Sequence, residues 1–380
     1  MIKILLINKI PIANNFEQSH AESIYDLIYP IINNSNCVFE HFNSNLSIFN
    51  NNQNMQMQNL FESIQNKLFD IVFVDPNSID NNVIKNLRSH FPKLKLVLIC
   101  HECFGHYSEY ESVFPYADYI ILHEISFLEL GQHYKKKIYS IHTITNKKSI
   151  FFLDTPLKKE IDFYFSGTIS NERFDLLKNL KQNLKCNFVI GGGRYGQKTS
   201  NIENLECLKK SKSTLLFPFQ KTRSFGKHIL NIFNFRSSWN GRASFALGFE
   251  VLILSQRCRE LEFFLSNNKD YISYINSTDL LDKIHYFSKN EEERIGIVKS
   301  AKKKFLELTS EKNFLAMCEK IVNGEKFYHS VGKTNIFFYN ILFILFNYKS
   351  FYIQKIIDRY YLFFSKVYKR LAILYNGQFK

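Results

Sequence analysis

Arg242–Leu254 reads RASFALGFEVLIL, and six residues further on Glu260–Phe264 reads ELEFF. The first part is a short run of small and apolar residues that stops at Gly248, the residue type that most often closes a helix. Val251–Leu254 is a continuous apolar run, as expected for a strand covered on both faces. A second helix opens at Glu260. Helix, buried strand and helix in that order indicate a parallel sheet with helices packed on it.

Upstream, the same alternation begins at Ile161–Phe165 (IDFYF), a strand that runs into Ser166-Gly167-Thr168. It continues with a helix over Arg173–Gln182, a strand over Cys186–Ile190, the run Gly191-Gly192-Gly193, a helix over Ile202–Ser211 and a strand over Thr214–Phe217. Downstream, helices are expected over Thr278–Ser288 and Glu291–Leu306. The first half of the chain repeats the pattern. Ile2–Ile7, Phe69–Val74, Leu94–Cys100, Ala117–Leu122 and Lys137–His142 read as strands. Helical periodicity lies near Ser19–Ile32, Asn81–His90 and Ser126–Tyr134. Phe151–Lys159, with Asp154, Thr155 and Pro156, reads as a linker. The expectation is α/β: two doubly wound, Rossmann-like domains facing a cleft, over 1–155 and 156–325, with a helical tail over 326–380.

Length and composition agree with two domains. The chain has 380 residues, 45% of them hydrophobic, enough for two cores. Seven scattered cysteines are an odd number and argue for a reducing compartment, hence a cytoplasmic protein. The single C-x-x-C, Cys100 and Cys103, has no second pair and reads as two strand-end cysteines. MIKILLINKIPI lacks the length and cleavage site of a signal peptide and reads as a first strand.

The net charge of +14 suits nucleic acid, an anionic membrane or a phosphorylated substrate. No RNA-binding signature, zinc finger or basic block is present, so nucleic acid is the weakest of the three. Within 335–380, NIFFYNILFILFNYKSFYI is strongly apolar and aromatic but marginal for spanning a bilayer, and Lys355–Lys369 alternates Arg and Lys with Tyr, Phe, Ile and Leu, which suits the inner face of the cytoplasmic membrane. A helix folding back over the first domain is the other reading.

Candidate chemistry gathers at strand ends, where sheets of this kind bind ligands. Gly167 lets the backbone approach a ligand, and Arg173 supplies a bidentate phosphate contact; an ordinary strand–helix turn has the same composition. Gly191-Gly192-Gly193-Arg194 is either a loop on the cleft rim or a phosphate cradle. Phe219–Arg242 carries Lys221, Arg223, Lys227, His228, Arg236 and Arg242 with no acidic residue, which favours a diphosphate. His101 and Glu102 follow the strand ending at Cys100, and a His–carboxylate pair there could activate a hydroxyl. No metal-ligand spacing is evident, and neither a metal nor a cofactor is expected.

These segments resemble the GT-B glycosyltransferases, specifically the bacterial group related to the spore maturation protein CgeB, whose second domain is of the glycosyl transferases group 1 type. IDFYFSGTISNERFDLLKNL, ENLECLKKSKSTLLFP, GRASFALGFEVLIL and RELEFFLSNNKDYISYINSTDLLDKIHYF carry the similarity, over about 161–306 and more loosely 69–123. The resemblance implies transfer from a nucleotide-diphosphate sugar, bound mainly by the second domain, to an acceptor hydroxyl held by the first; the cationic site makes a metal unnecessary, and the basic aromatic tail suits a glycan or lipid-linked acceptor in cell-envelope glycan assembly. The resemblance further implies a donor bordered by Gly167 and Arg173, with Arg242 at the diphosphate, Glu260 near the sugar or ribose, and Gly248 closing the helix; Lys221 and Arg223 of the basic loop are expected to join the donor site. The family's helix carries a ribose-contacting glutamate five residues before that glycine, where this chain has Ala243. A non-enzymatic protein that binds a nucleotide sugar or a glycan-assembly partner is the competing expectation.

Overall fold

In a computed structural model, the described residues are 1–8, 37–44, 53–76, 78–100, 110, 112–122, 137–140, 158–167, 171–184, 186–191, 201–217, 241–257, 259–308 and 311–325. The tail over 326–380 lies outside them.

The first sheet contains β1 (Ile2–Asn8), β2 (Cys37–Asn43), β3 (Ile71–Val74), β4 (Lys95–Cys100), β5 (Tyr119–Leu122) and β6 (Lys137–Ser140), in the order β2-β1-β3-β4-β5-β6. Every pairing in it is parallel. The alternating residues of its strands divide cleanly between two cores. Leu5, Ile7, Val72, Val74, Leu96, Leu98 and Ile120 face the helices α1 (Gln53–Lys67) and α2 (Asn81–His90). Ile4, Leu6, Ile71, Phe73, Val97, Ile99 and Ile121 face the other way. Such double coverage explains why these strands are apolar throughout.

The second sheet contains β7 (Ile161–Ser166), β8 (Phe188–Gly191), β9 (Ser211–Leu216), β10 (Leu252–Ser255) and β11 (Ile272–Ser273), in the order β11-β10-β9-β7-β8. It too is parallel throughout. One face packs on α3 (Asn171–Asn183) and α7 (Ser277–Lys289), through Leu177, Leu180, Leu280, Ile284 and Phe287. The other packs on α4 (Asn201–Lys209), α5 (Gly241–Gly248) and α8 (Glu291–Leu308), through Leu208, Phe245, Ala246, Ala301 and Phe305. The short α6 (Arg259–Phe264) follows β10. The start of α7 is fixed by its own sequence. The Asn276 side chain accepts from Asp279 N–H at 2.9 Å, and the Asp279 carboxylate accepts from Ile275 N–H at 2.8 Å, a reciprocal cap.

The helix α9 (Glu311–Val322) follows the second sheet in sequence but packs on the first. Phe314, Met317, Cys318 and Ile321 complete the core over Phe73, Val97 and Tyr119. Tyr119 is fully buried, and its hydroxyl donates to the carbonyls of Ile321 at 3.2 Å and Glu325 at 3.3 Å. Burial, with Asp118 and Glu325 adding to it, pushes that phenol up to about 12. No described helix is long and apolar enough to cross a membrane.

Several boundaries differ from the sequence expectation. The expected helix Ile202–Ser211 ends at Lys209, and its strand starts at Ser211 instead of Thr214. Ser211 and Ser213 are buried, and their hydroxyls bond the carbonyls of Cys207 and Asp162, so polar residues serve as strand interior. The helix α5 does not reverse on Gly248. The left-handed residue is Glu250, at φ 56. Val251 N–H bonds Ala246 C=O at 2.8 Å and Glu250 N–H bonds Leu247 C=O at 3.4 Å, the paired bonds of a Schellman closure.

Candidate functional site

Both sheets change winding direction once. From β7 the chain goes to β8 on one side and then crosses to β9 on the other. A doubly wound sheet opens a crevice at such a point, outside the carboxyl ends of the two strands. In the second sheet that crevice lies beyond Ser166 and Leu216. The residue after β7 is Gly167, at φ 136. Side chains are excluded from that backbone conformation, so the glycine is required by the turn itself.

Arg173, in the first turn of α3, is half-buried, with its guanidinium carbon 4.8 Å from the centre of the Phe217 ring. Phe217 is the residue after β9 and meets Phe165 of β7 edge-on at 5.3 Å. The carboxyl ends of β7 and β9 are therefore joined by two packed rings, the outer of which carries a cation on its face. Tyr274, one residue past β11 and 5% exposed, is close enough to exchange electrostatic influence with Arg173. Burial lowers the Arg173 pKa and raises that of Tyr274, and each group partly offsets the other's shift. Phe217 and Tyr274 were missed in the sequence. An aromatic residue at a strand end carries no spacing signal, and β11 is only two residues long.

Arg242 and Glu260 reach the same edge through their helices. α5 precedes β10 and α6 follows it, so the first turn of each sits at the carboxyl edge of the sheet. Gly248 does not join them. It is buried at the far end of α5, at the amino edge. Ala243 is fully buried in the apolar cluster with Ile161, Tyr164 and Phe245, so a glutamate there would bring a carboxylate into the core. Lys221, Arg223, His101 and Glu102 lie outside the described residues. Of the triple glycine, Gly191 is the last residue of β8. A Cβ there would collide with the Tyr164 hydroxyl, which bonds Asn204 Oδ1 at 2.6 Å. That first glycine is explained by close approach of backbone to side chain.

The amino edge of the same sheet is also cationic, in a different manner. Lys159 Nζ donates to the carbonyls of Lys209 and Phe249, both at 2.8 Å. Lys302 pairs with Glu250 at 2.7 Å. Lys304 pairs with the buried Asp270, whose carboxylate also accepts from Ser300 at 2.6 Å and from Ser266 N–H at 2.7 Å. Burial of Lys159, with Arg294, Lys209 and Lys302 adding to it and Glu250 opposing, brings its pKa down to about 7.

The comparisons with known proteins fit this architecture. The glycosyl transferase-like family matches residues 173–316. No curated protein matches the chain by sequence. Among solved structures, the N-terminal domain of trehalose-6-phosphate phosphatase from Candida albicans superposes with a TM-score of 0.54 at 10% identity, over 84% of this chain and 97% of that one. Anabaena Alr3699/HepE in complex with UDP and glucose gives 0.52 at 7% identity, over 85% and 100%. A glycosyltransferase from Rickettsia africae gives 0.50 at 14% identity, over 84% and 98%. The chain thus has the GT-B fold, and residues 173–316 are similar to the glycosyl transferase-like family.

Proposed function

We propose that the protein transfers a sugar from a nucleotide-diphosphate sugar to an acceptor hydroxyl. The observation that carries this reading is the second-sheet crevice. Gly167 leaves the backbone open at the switch point, and Arg173 is held beside it over Phe217. A diphosphate placed there meets a pre-positioned cation, which stabilises charge on the leaving group without needing a metal. Arg242 and Glu260, at the starts of neighbouring helices, contribute to the diphosphate and to the sugar or ribose. Lys221 and Arg223, with His101 and Glu102 on the acceptor side, complete the proposed set. The likeness to Alr3699/HepE, solved with UDP and glucose, supports a uridine nucleotide as the first donor to try.

The cell role proposed is cell-envelope glycan assembly at the inner face of the cytoplasmic membrane, with 335–380 as the contact. The acceptor is a glycan or lipid-linked hydroxyl.

A thermal-shift screen of the full chain against UDP-, GDP-, CMP- and dTDP-sugars tests the donor. A ligand present at 100 times its Kd raises stability by about 2.7 kcal/mol, well within detection. No shift with any of them would remove the basis of the proposal. The competing reading, binding without turnover, is favoured by Ala243, which leaves the core-facing side of α5 without the family's carboxylate. It predicts a thermal shift with no release of nucleotide.

A further inference from the structure

A second feature of the molecule lies away from the strand-end crevices. Where α8 gives way to α9, Lys299, Lys302, Lys303, Leu306 and Glu307 of the first helix and Lys312 of the second line an open groove of about 650 Å³. Lys299, Lys303 and Leu306 stand at i, i+4 and i+7, so they share one stripe of α8. The Asn313 side chain donates to the Glu307 carbonyl at 2.6 Å. That bond ties the first turn of α9 to the last turn of α8 and sets the joint that forms the groove.

The lysines of this region divide by what holds them. Lys302 is paired with Glu250 at 2.7 Å, and Lys304, on another side of α8, with the buried Asp270. Lys299, Lys303 and Lys312 are exposed, and none of them has a hydrogen bond or ion pair among the described residues. Leu306 stands among them, 39% exposed. Lysine stems are aliphatic, so the groove has apolar walls and charge at its rim. Its four lysines face a single acidic residue, Glu307, which calls for an anionic occupant. The described lining has no aromatic side chain and no arginine, the types that anchor protein partners and stack on nucleic-acid bases. A phospholipid headgroup needs neither. Lysine meets its phosphate as a point charge, and Leu306 reaches the apolar boundary beneath.

We propose that the groove between α8 and α9 rests on an anionic phospholipid surface. The inference is independent of the donor reading, and it adds a contact within the second domain to the one proposed for 335–380. α9 has 12 residues, a length of about 18 Å. The chain therefore passes α9 close enough to the groove for both contacts to meet one plane. Lys302, with Glu250, belongs to the amino edge of the second sheet. A membrane on that side leaves the crevice at the carboxyl edge open to nucleotide.

Co-sedimentation of the full chain with vesicles tests this. One set is phosphatidylcholine alone, and in the other a third of it is replaced by phosphatidylglycerol. Wild type is expected to bind the anionic set and not the neutral one. K299Q/K303Q/K312Q keeps most of the apolar walls and removes the charge. Each lysine near an anionic surface contributes about five-fold, so binding should fall roughly ten-fold or more. K178Q/K181Q/K289Q removes the same charge from exposed lysines of α3 and α7, on the other face of the sheet, and should bind as wild type does. Wild-type unfolding midpoints in urea for both variants show that no loss comes from misfolding. An equal loss in the two variants makes net charge the cause and overturns the assignment. Undiminished binding by the groove variant also overturns it and leaves 335–380 as the contact. Failure of wild type to bind anionic vesicles overturns it too, whether or not the chain retains an acidic protein or a nucleic acid. None of these outcomes bears on nucleotide-sugar binding, so the two readings stand or fall separately.

Discussion

The two edges of the second sheet are both rich in positive charge, yet they are organised for different ends. At the amino edge the lysines are tied to internal acceptors: Lys159 to two carbonyls, Lys302 to Glu250, Lys304 to Asp270. At the carboxyl edge Arg173 rests on a ring, Phe217, beside a glycine that only a turn can explain. Net charge alone does not separate these cases. The Lys302 and Lys304 pairs tie side chains to the protein's own carboxylates, while a guanidinium over an aromatic face at a switch point is placed for an incoming anion.

Substitutions at the two edges should therefore part company in what they change. The largest effect is expected from K304M, which leaves Asp270 ionised and buried with only neutral donors. Breaking such a pair costs about 3 kcal/mol, read as a lower midpoint in urea unfolding, with donor affinity unaltered in the folded fraction. R173A should do the reverse. Loss of a charge-assisted contact is worth about 1.5–3 kcal/mol, so the Kd for the nucleotide sugar should rise roughly ten- to a hundred-fold by titration calorimetry. If R173A binds as well as wild type, the distinction between the edges is lost.

Lys159 gives the comparison a pH dependence. Its folded pKa of about 7 lies below the ordinary 10.5, so between those values the folded state binds fewer protons than the unfolded one. Stability then rises with pH. The contribution is fully present above pH 10.5 and is lost as pH falls through about 7. The neutral amine still has two N–H groups for its two carbonyls. Urea unfolding from pH 7 to 9.5 should show a positive slope for wild type and a flatter one for K159M; parallel slopes would refute the assignment.

Smaller effects sharpen the picture. F217L removes the aromatic face beneath Arg173 and should weaken donor binding by a few-fold, since an exposed cation–π contact contributes about 0.5–1 kcal/mol. A change in unfolding midpoint without a change in Kd would make Phe217 a core residue only. Y119F, away from both edges, should cost about 1 kcal/mol by releasing the carbonyls of Ile321 and Glu325.

The fold was legible in the sequence where strands are covered on both faces. Ile2–Ile7, Phe69–Val74 and Leu94–Cys100 are continuous apolar runs because water reaches neither side. The edge strand β2, CVFEHFN, escaped notice because Glu40 and His41 interrupt it, which partial exposure allows. α1 is masked in the sequence by its asparagines and glutamines, since only Leu60 and Ile64 of its described side chains are fully in the core, with Met57 and Phe61 partly buried against it. Gly248 was read as the turning residue because glycine usually is, whereas Glu250 accepts the left-handed conformation with its carboxylate fixed by Lys302. At the site, Gly167 and Arg173 stand out because glycine and arginine have distinctive chemistry. Phe217 is placed by strand order, which only the folded sheets reveal.

The return of α9 to the first sheet has a consequence for how the molecule is made. Phe314, Met317 and Ile321 cover residues that are translated about two hundred or more positions earlier. On the ribosome, the core over Phe73, Val97 and Tyr119 lacks these side chains until nearly everything described has emerged, a period when aggregation competes with folding. An amino-terminal half made without α9 lacks that part of its core, so it should require the helix supplied in trans to remain in solution.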